Sequence, residues 1–275
     1  DHHSPLHELL FTRLVTHHAG TVPVPEIHIV DLSGKIIQWP FLINTWLTDE
    51  PIKKHVLDGH FDVSEKVFGS LGNIIGRIHS IDVVMSGFGT VRIDSLPNFL
   101  TTEEIPESLH GASETFEERY SIPASQAADY LFSQSVLTRN DLDTIEMILS
   151  ENIPDDDDIV FQHGDMSMGN FLTDGHDITG VLDGSGVIGH RFEELAGVFM
   201  FLHALAFYFP HFLPDRAFDS FMRGYTDISN IEILNGSLNV FLVKNVVNHM
   251  AVLVKKGTKT HISKFTSLLK KHLKR

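Results

Sequence analysis

The sequence predicts an α+β fold in which a short helix-and-hairpin segment leads into a mainly helical body. Three observations carry that prediction. An apolar-periodic helical stretch opens the chain, a Pro-rich extended segment then leads into two apolar runs joined by a turn, and beyond residue 62 helical periodicity dominates, with a small strand pair embedded in it. The composition agrees: 42% hydrophobic and 21% charged residues over 275 positions suffice for one large domain or two packed lobes and exclude disorder of the whole chain.

Leu6, Leu9, Leu10, Leu14 and Val15 recur at helical spacing after Ser4-Pro5, so the first helix spans about Pro5 to His18. Thr21-Val-Pro-Val-Pro25 forces extended backbone. The runs Glu26–Val30 and Ile36–Leu47, separated by the turn-rich Asp31-Leu-Ser-Gly-Lys35, read as a β-hairpin. A boundary is expected in Asn44–Asp49, where the apolar strand gives way to polar residues. Asp62-Val-Ser-Glu65 has capping-box spacing, and Val67, Leu71, Ile74, Ile75, Ile78 and His79 share one face of the long helix that follows. Signals between Gly87 and Asp158 are weaker, with short helices expected at Ser113–Tyr120, Ala124–Leu137 and Asn140–Glu151. Ile159–Phe161 and Asp177–Leu182 are β-type runs, and Phe192–Phe207, Asp215–Tyr225, Leu238–Lys255 and Ser263–Lys274 read as helices.

Charge and cysteine usage bound the function. With no Cys there is no disulfide framework, thiolate metal site or cysteine nucleophile, and a reducing, cytoplasmic compartment is the expectation. A net charge of −15 repels nucleic-acid phosphate and anionic lipid, so neither nucleic acid nor membrane is an expected partner. Eight cations gather between Lys255 and Arg275, and without them the rest of the chain carries −23. Ile262, Phe265, Leu268, Leu269 and Leu273 give that basic segment an apolar face, as a helix docked on the surface would have. The acidic run Asp155–Asp158 reads as a solvated loop. No signal peptide is evident, and the chain starts abruptly without Met, as expected of a segment inside a longer natural protein.

The sharpest local feature is His163-Gly-Asp165, with Asn170 five residues beyond the Asp, followed by Asp183 in Gly180-Val-Leu-Asp183-Gly-Ser-Gly186. A carboxylate and an amide share one loop, and a second carboxylate ends the next strand. Phosphoryl transfer asks for such a set: one carboxylate to orient the acceptor hydroxyl and take its proton, and an amide oxygen with another carboxylate to hold Mg²⁺ against the phosphates. His163 reads as a hydrogen-bonded orienting residue. The chain has 18 histidines, and they show no metal-ligand spacing.

In this pattern the chain resembles the aminoglycoside phosphotransferase and choline kinase group of small-molecule kinases, whose catalytic loop reads His-Gly-Asp, four residues, Asn, and whose next strand ends in a metal-binding Asp. Further matching stretches are Leu71–His79 with Gly87-Phe-Gly89, Val22–Pro25 with Pro40–Ile43, and Glu194-Leu-Ala196. The resemblance implies a protein-kinase-like two-lobed fold. Residues 1–49 would form a partial N-terminal nucleotide lobe with a hinge near 44–49, and residues 50–275 a mainly helical C-terminal catalytic and substrate lobe. It further implies Asp165 as catalytic base and Asn170 with Asp183 as Mg²⁺ ligands. The nucleotide, ATP or another nucleoside triphosphate, would lie against Asn44, Thr45, Trp46 and Leu47, and Glu8 would be the helix carboxylate that pairs with a phosphate-binding lysine. The acceptor would be a hydroxyl of a small polar or cationic molecule, an aminoglycoside or another amino-sugar being favoured by the acidic body.

The chain departs from the family pattern in three places. No glycine-rich loop and strand lysine precede Glu8, Lys35 lying in a turn. Gly184 stands where an aromatic usually follows the metal Asp, and His190-Arg191 replaces the usual Asp-Pro. The first departure keeps a second reading open, a catalytically degenerate kinase-fold binding module. A metal-dependent phosphoesterase using His163, Asp165 and Asp183 is weaker, because it lacks the further His and Asp ligands of a two-metal site.

Overall fold

Pro5 starts a helix whose register turns Leu9, Leu10, Phe11, Leu14 and Val15 inward, and the helix ends at His18 as the apolar spacing predicts. In the computed structural model the described residues are 5–58, 64–96, 99, 104–151, 158–209, 211–229, 235–258 and 261–274. In chain order their elements are α1 (Pro5–His18), β1 (Ile27–Asp31), β2 (Phe41–Asn44), β3 (Glu50–Pro51), α2 (Ile52–Leu57), α3 (Ser64–His79), β4 (Val84–Ser86), β5 (Phe88–Val91), β6 (Ser108–Ser113), α4 (Ile122–Ser133) and α5 (Arg139–Glu151). There follow β7 (Ile159–Gln162), β8 (Phe171–Thr173), β9 (Ile178–Val181), β10 (Val187–His190), α6 (Arg191–Tyr208), α7 (Pro214–Ser229), α8 (Asn235–Lys255) and α9 (Ile262–His272).

Two compact units are formed, one from residues 1–112, 159–189 and 215–231, the other from residues 113–158, 190–214 and 232–275. The boundary expected at Asn44–Asp49 falls inside the first unit. There β1 and β2 pair antiparallel, with Asp31 opposite Phe41. The second strand is shorter than the apolar run that announced it. Residues 32–40 form the connecting loop, started by a turn in which the Ser33 N–H and hydroxyl donate to Asp31 Oδ1 at 2.8 and 2.6 Å. The expected strand residues Ile36, Ile37 and Trp39 therefore lie exposed in that loop.

The first unit also holds more sheet than the periodicity announces. Besides the β1–β2 ribbon there is a five-stranded sheet in the order β4-β6-β5-β10-β7 and a three-stranded sheet β3-β8-β9. The helix expected at Ser113–Tyr120 is corrected: Ser113 ends strand β6, and a π-helical turn begins at Glu117. Strand β6 reads Ser-Leu-His-Gly-Ala-Ser, without a β-branched residue, and is a strand because β5 lies tightly against it: a Cβ on Gly111 would sit 2.4 Å from the Phe88 N. The capping-box residues Asp62 and Val63 lie outside the described residues, as do Asp155–Asp157 of the acidic run.

In the second unit α8 packs against α4, α5, α6 and α9, burying Val240, Phe241, Val243, Val246, Val247 and Met250. Within this unit Glu193 is the centre of an ionic cluster. Lys244 Nζ donates to it at 2.7 Å, the Tyr120 hydroxyl donates at 2.8 Å, and Arg119 lies 3.7 Å away. Burial pushes the Glu193 carboxyl up, but the Lys244 and Arg119 charges and the two hydrogen bonds outweigh it and hold the carboxyl below its ordinary value. Burial and the Glu193 charge in turn keep the Tyr120 phenol protonated. Asp158, the described member of the acidic run, pairs with Arg191 Nε at 2.6 Å. The basic helix α9 docks through Phe265, Leu268, Leu269 and His272.

Candidate active site

Two loops connect the five-stranded sheet to the three-stranded one: residues 163–170 run from β7 to β8, and residues 182–186 run from β9 to β10. β7 and β10 are neighbours in the larger sheet, and β8 pairs with β9 in the smaller, with Phe171 opposite Val181. The loops are therefore forced together at both ends. Main-chain bonds lace them: the Leu182 N–H donates to the Asn170 carbonyl and the Ser185 N–H to the His163 carbonyl, each at 2.8 Å.

His163 is fully buried and its ring ties the same two loops. Its Nε2 lies 2.9 Å from the Leu182 carbonyl, which can only accept, so the ring proton is on Nε2. Nδ1 is then the acceptor for the Asp165 N–H at 3.2 Å. A neutral imidazole of fixed tautomer thus orients the start of the loop, and neither ring nitrogen is left for a metal. Gly164 has φ +83°, and a side chain there would also meet Val187 Cγ2 at 2.6 Å, so the turn presenting Asp165 requires glycine.

The Asp165 Oδ1 accepts the Ser167 N–H at 3.1 Å, which orients the carboxylate. Asn170 is buried, its Nδ2 donates to the Asp165 carbonyl at 3.3 Å, and its N–H donates to the Ser167 carbonyl at 2.9 Å. That arrangement leaves the Asn170 Oδ1 without a hydrogen-bond donor among the described residues. Asp183, one residue beyond the bond that joins Leu182 to Asn170, is exposed and held at φ +53°, a left-handed conformation that Asp tolerates better than most side chains. Asp165, Asn170 and Asp183 are thus carried by one laced pair of loops.

Hard oxygen donors suit a hard cation. One carboxylate and one amide oxygen fit Mg²⁺ that shares its sphere with phosphate oxygens and water. Among the described residues no three His, Cys, Asp or Glu side chains gather into a metal group, so a cation held by protein side chains of those types alone does not fit.

The other predicted residues fall around this pair of loops in the first unit. Glu8, half-buried on α1, accepts the Asn44 Nδ2 at 2.9 Å. Burial pushes its carboxyl above the ordinary value, the Asn44 hydrogen bond draws it back, and the negative charge of Asp183 raises it again. Glu8 therefore lies within the field of Asp183. The Thr45 N–H is committed to the Glu26 carbonyl at 2.8 Å and its hydroxyl to His28 Nε2 at 2.9 Å. Trp46 is 86% exposed, whereas Leu47 lies over β9, its Cδ1 2.8 Å from where a Cβ on Gly180 would stand. The main-chain groups of Trp46 and Leu47 make no backbone hydrogen bond among the described residues. The periodicity overlooked Phe11, a buried α1 residue whose ring stacks on Phe161 at 5.9 Å and meets His163 edge-on at 5.2 Å.

The family described as the phosphotransferase enzyme family matches residues 6–233. Among solved structures, the chain is similar to a thermostable mutant of aminoglycoside phosphotransferase APH(4)-Ia in ternary complex with AMP-PNP and hygromycin B. The identity is 16% and the TM-score 0.61, over 97% of this chain and 82% of that one. It is also similar to a candidate fructosamine-3-kinase from Thermobifida fusca, at 16% identity and TM-score 0.58 over 98% and 80% of the two chains. Macrolide 2′-phosphotransferase MphH from Brachybacterium faecium aligns at 14% identity and TM-score 0.52, over 96% and 78%. None of the curated proteins compared matches the chain.

Proposed function

This chain belongs to the phosphotransferase enzyme family, with the α+β kinase-like fold of small-molecule kinases, and on that premise we propose that it transfers the γ-phosphoryl group of ATP to a hydroxyl of a small polar acceptor. The observation that supports the reading is the main-chain lacing of loops 163–170 and 182–186, which carry Asp165, Asn170 and Asp183. Asp165, oriented by the Ser167 N–H, aligns the acceptor hydroxyl and takes its proton as the phosphoryl group transfers. Asn170 Oδ1 and the Asp183 carboxylate would hold Mg²⁺, which when bound would neutralise charge on the phosphates. The main-chain groups of Trp46 and Leu47, which make no backbone hydrogen bond among the described residues, support adenine binding there. Catalytic gain comes from positioning and charge stabilisation.

Nucleotide-bound complexes among the similar structures support nucleotide use, and the hygromycin B bound in them supports a small-molecule acceptor. The excess of acidic residues fits a cationic acceptor, and the absence of cysteine fits a cytoplasmic setting. Incubation with γ-labelled ATP, Mg²⁺ and a panel of aminoglycosides and amino-sugars tests the reading: label moves to an acceptor with the parent chain and not with Asp165→Ala, whose melting temperature is unchanged. Undiminished transfer by Asp165→Ala overturns the role of that carboxylate.

A second reading, a kinase-fold binding module without turnover, rests on Glu8, which takes an amide from Asn44 where the family's glutamate takes a lysine. Nucleotide binding without label transfer to any acceptor would favour it.

A further inference from the structure

Resting on the reading of Asp183 as a Mg²⁺ ligand, we infer that Phe11 is a positioning residue for Asp183: its ring fills, from α1, the space a side chain at position 184 would occupy, and so fixes the loop that presents the carboxylate. Glycine at 184 is not demanded by the backbone. The left-handed residues of this loop are Asp183 at φ +53° and Gly186 at +57°, and Gly184 is not among the chain's positive-φ residues. Its identity is demanded by Phe11. A Cβ on Gly184 would stand 2.1, 2.2 and 2.4 Å from the Cδ1, Cγ and Cε1 of that ring. Nor can the ring turn aside readily, because it is 1% exposed, stacked on Phe161 and edge-on to His163.

Phe11 thus touches both halves of the site. It covers Gly184 directly, and it abuts the imidazole that bonds the Leu182 carbonyl and the Asp165 N–H. A second contact ties the same helix to the five-stranded sheet, for His7 Nε2 lies 3.0 Å from the Val91 carbonyl on β5, the strand that pairs with β10. Left-handed backbone at a non-glycine residue persists when its surroundings hold it there, and here the α1 ring supplies that hold. Glu8 sits one helical turn before Phe11, so the residue that fixes Asp183 is on the helix whose carboxylate feels it.

Calorimetric titration of the full chain with ADP, in Mg²⁺ and in EDTA, tests the inference through the ratio of the two affinities. Gly184→Ala, which forces the ring and the loop apart, is expected to lower that ratio about tenfold or more, the usual cost of disturbing the support of a metal ligand. Phe11→Leu/Gly184→Ala, which makes room for the new methyl group, should recover most of the loss. Phe68→Ala, a cavity at another fully buried aromatic of the same unit, controls for lost stability and should leave the ratio unmoved. A Gly184→Ala ratio equal to that of the parent overturns the inference while sparing the Mg²⁺ reading, as does a ratio that falls as far in Phe68→Ala. A parent chain that binds ADP equally well in Mg²⁺ and EDTA overturns the Mg²⁺ reading itself and the inference with it.

Discussion

Glu8 is half-buried on α1, bonded to Asn44 and exposed to the field of Asp183, and burial is the largest influence on its carboxyl. A carboxyl whose folded pKa is raised contributes stability that is fully present below its unfolded value and is lost as pH rises through the folded value. Glu8→Gln keeps the acceptor oxygen for Asn44 and carries no charge. It should therefore melt above the parent at pH 7, with the gap narrowing as pH falls through the raised folded value and closed below the ordinary glutamate value of about 4.3. A lower melting temperature for Glu8→Gln at pH 7 would mean that the charge has a cationic partner. Nothing in the sequence spacing announces the Asn44 contact, since it joins a helix to a strand end 36 residues away. The spacing of Asp165, Asn170 and Asp183 shows in the sequence for the opposite reason: the short loops and strands between them set it, so it survives in one dimension.

Helix α3 crosses α7 through glycine. A Cβ on Gly72 would lie 1.9 Å from the Phe221 carbonyl oxygen, and one on Gly224 would lie 1.9 Å from the Gly69 carbonyl oxygen, so the backbones are in contact. Atoms that cannot yield make the cost steep. Gly224→Ala should destabilise the chain by at least the roughly 1–3 kcal/mol typical of overpacking. Gly197→Ala on α6, where a Cβ meets nothing within 4 Å, should be neutral or stabilise by up to about 1 kcal/mol through helix propensity alone. Denaturant melts of the two variants check both signs, and equal effects would contradict the close crossing. The helices were legible because apolar residues repeat along them, as the match at Pro5–His18 shows. The strands β5 and β6 were not: Gly-Phe-Gly reads as a turn and Ser108–Ser113 as polar loop, and pairing with neighbours distant in sequence makes them strands.

Across the whole molecule the sequence carried the α+β class and the family, while the partition into compact units lay beyond it. The first unit gathers residues 1–112, 159–189 and 215–231, three segments that local composition has no means of linking. Net charge acts at this scale as well. With −15 overall, a cationic acceptor would be drawn by the general field, a contribution to association that salt screens. The phosphate-side chemistry is more local, resting on Asn170 and Asp183. Titration of the full chain and of Asp183→Asn with AMP-PNP, each with and without Mg²⁺, tests it most directly, because Asn tolerates the left-handed backbone at 183 while removing the charge. Mg²⁺-dependent binding by the parent chain is expected, with loss of that dependence in Asp183→Asn at unchanged melting temperature. Equal binding by both chains, indifferent to Mg²⁺, would contradict it.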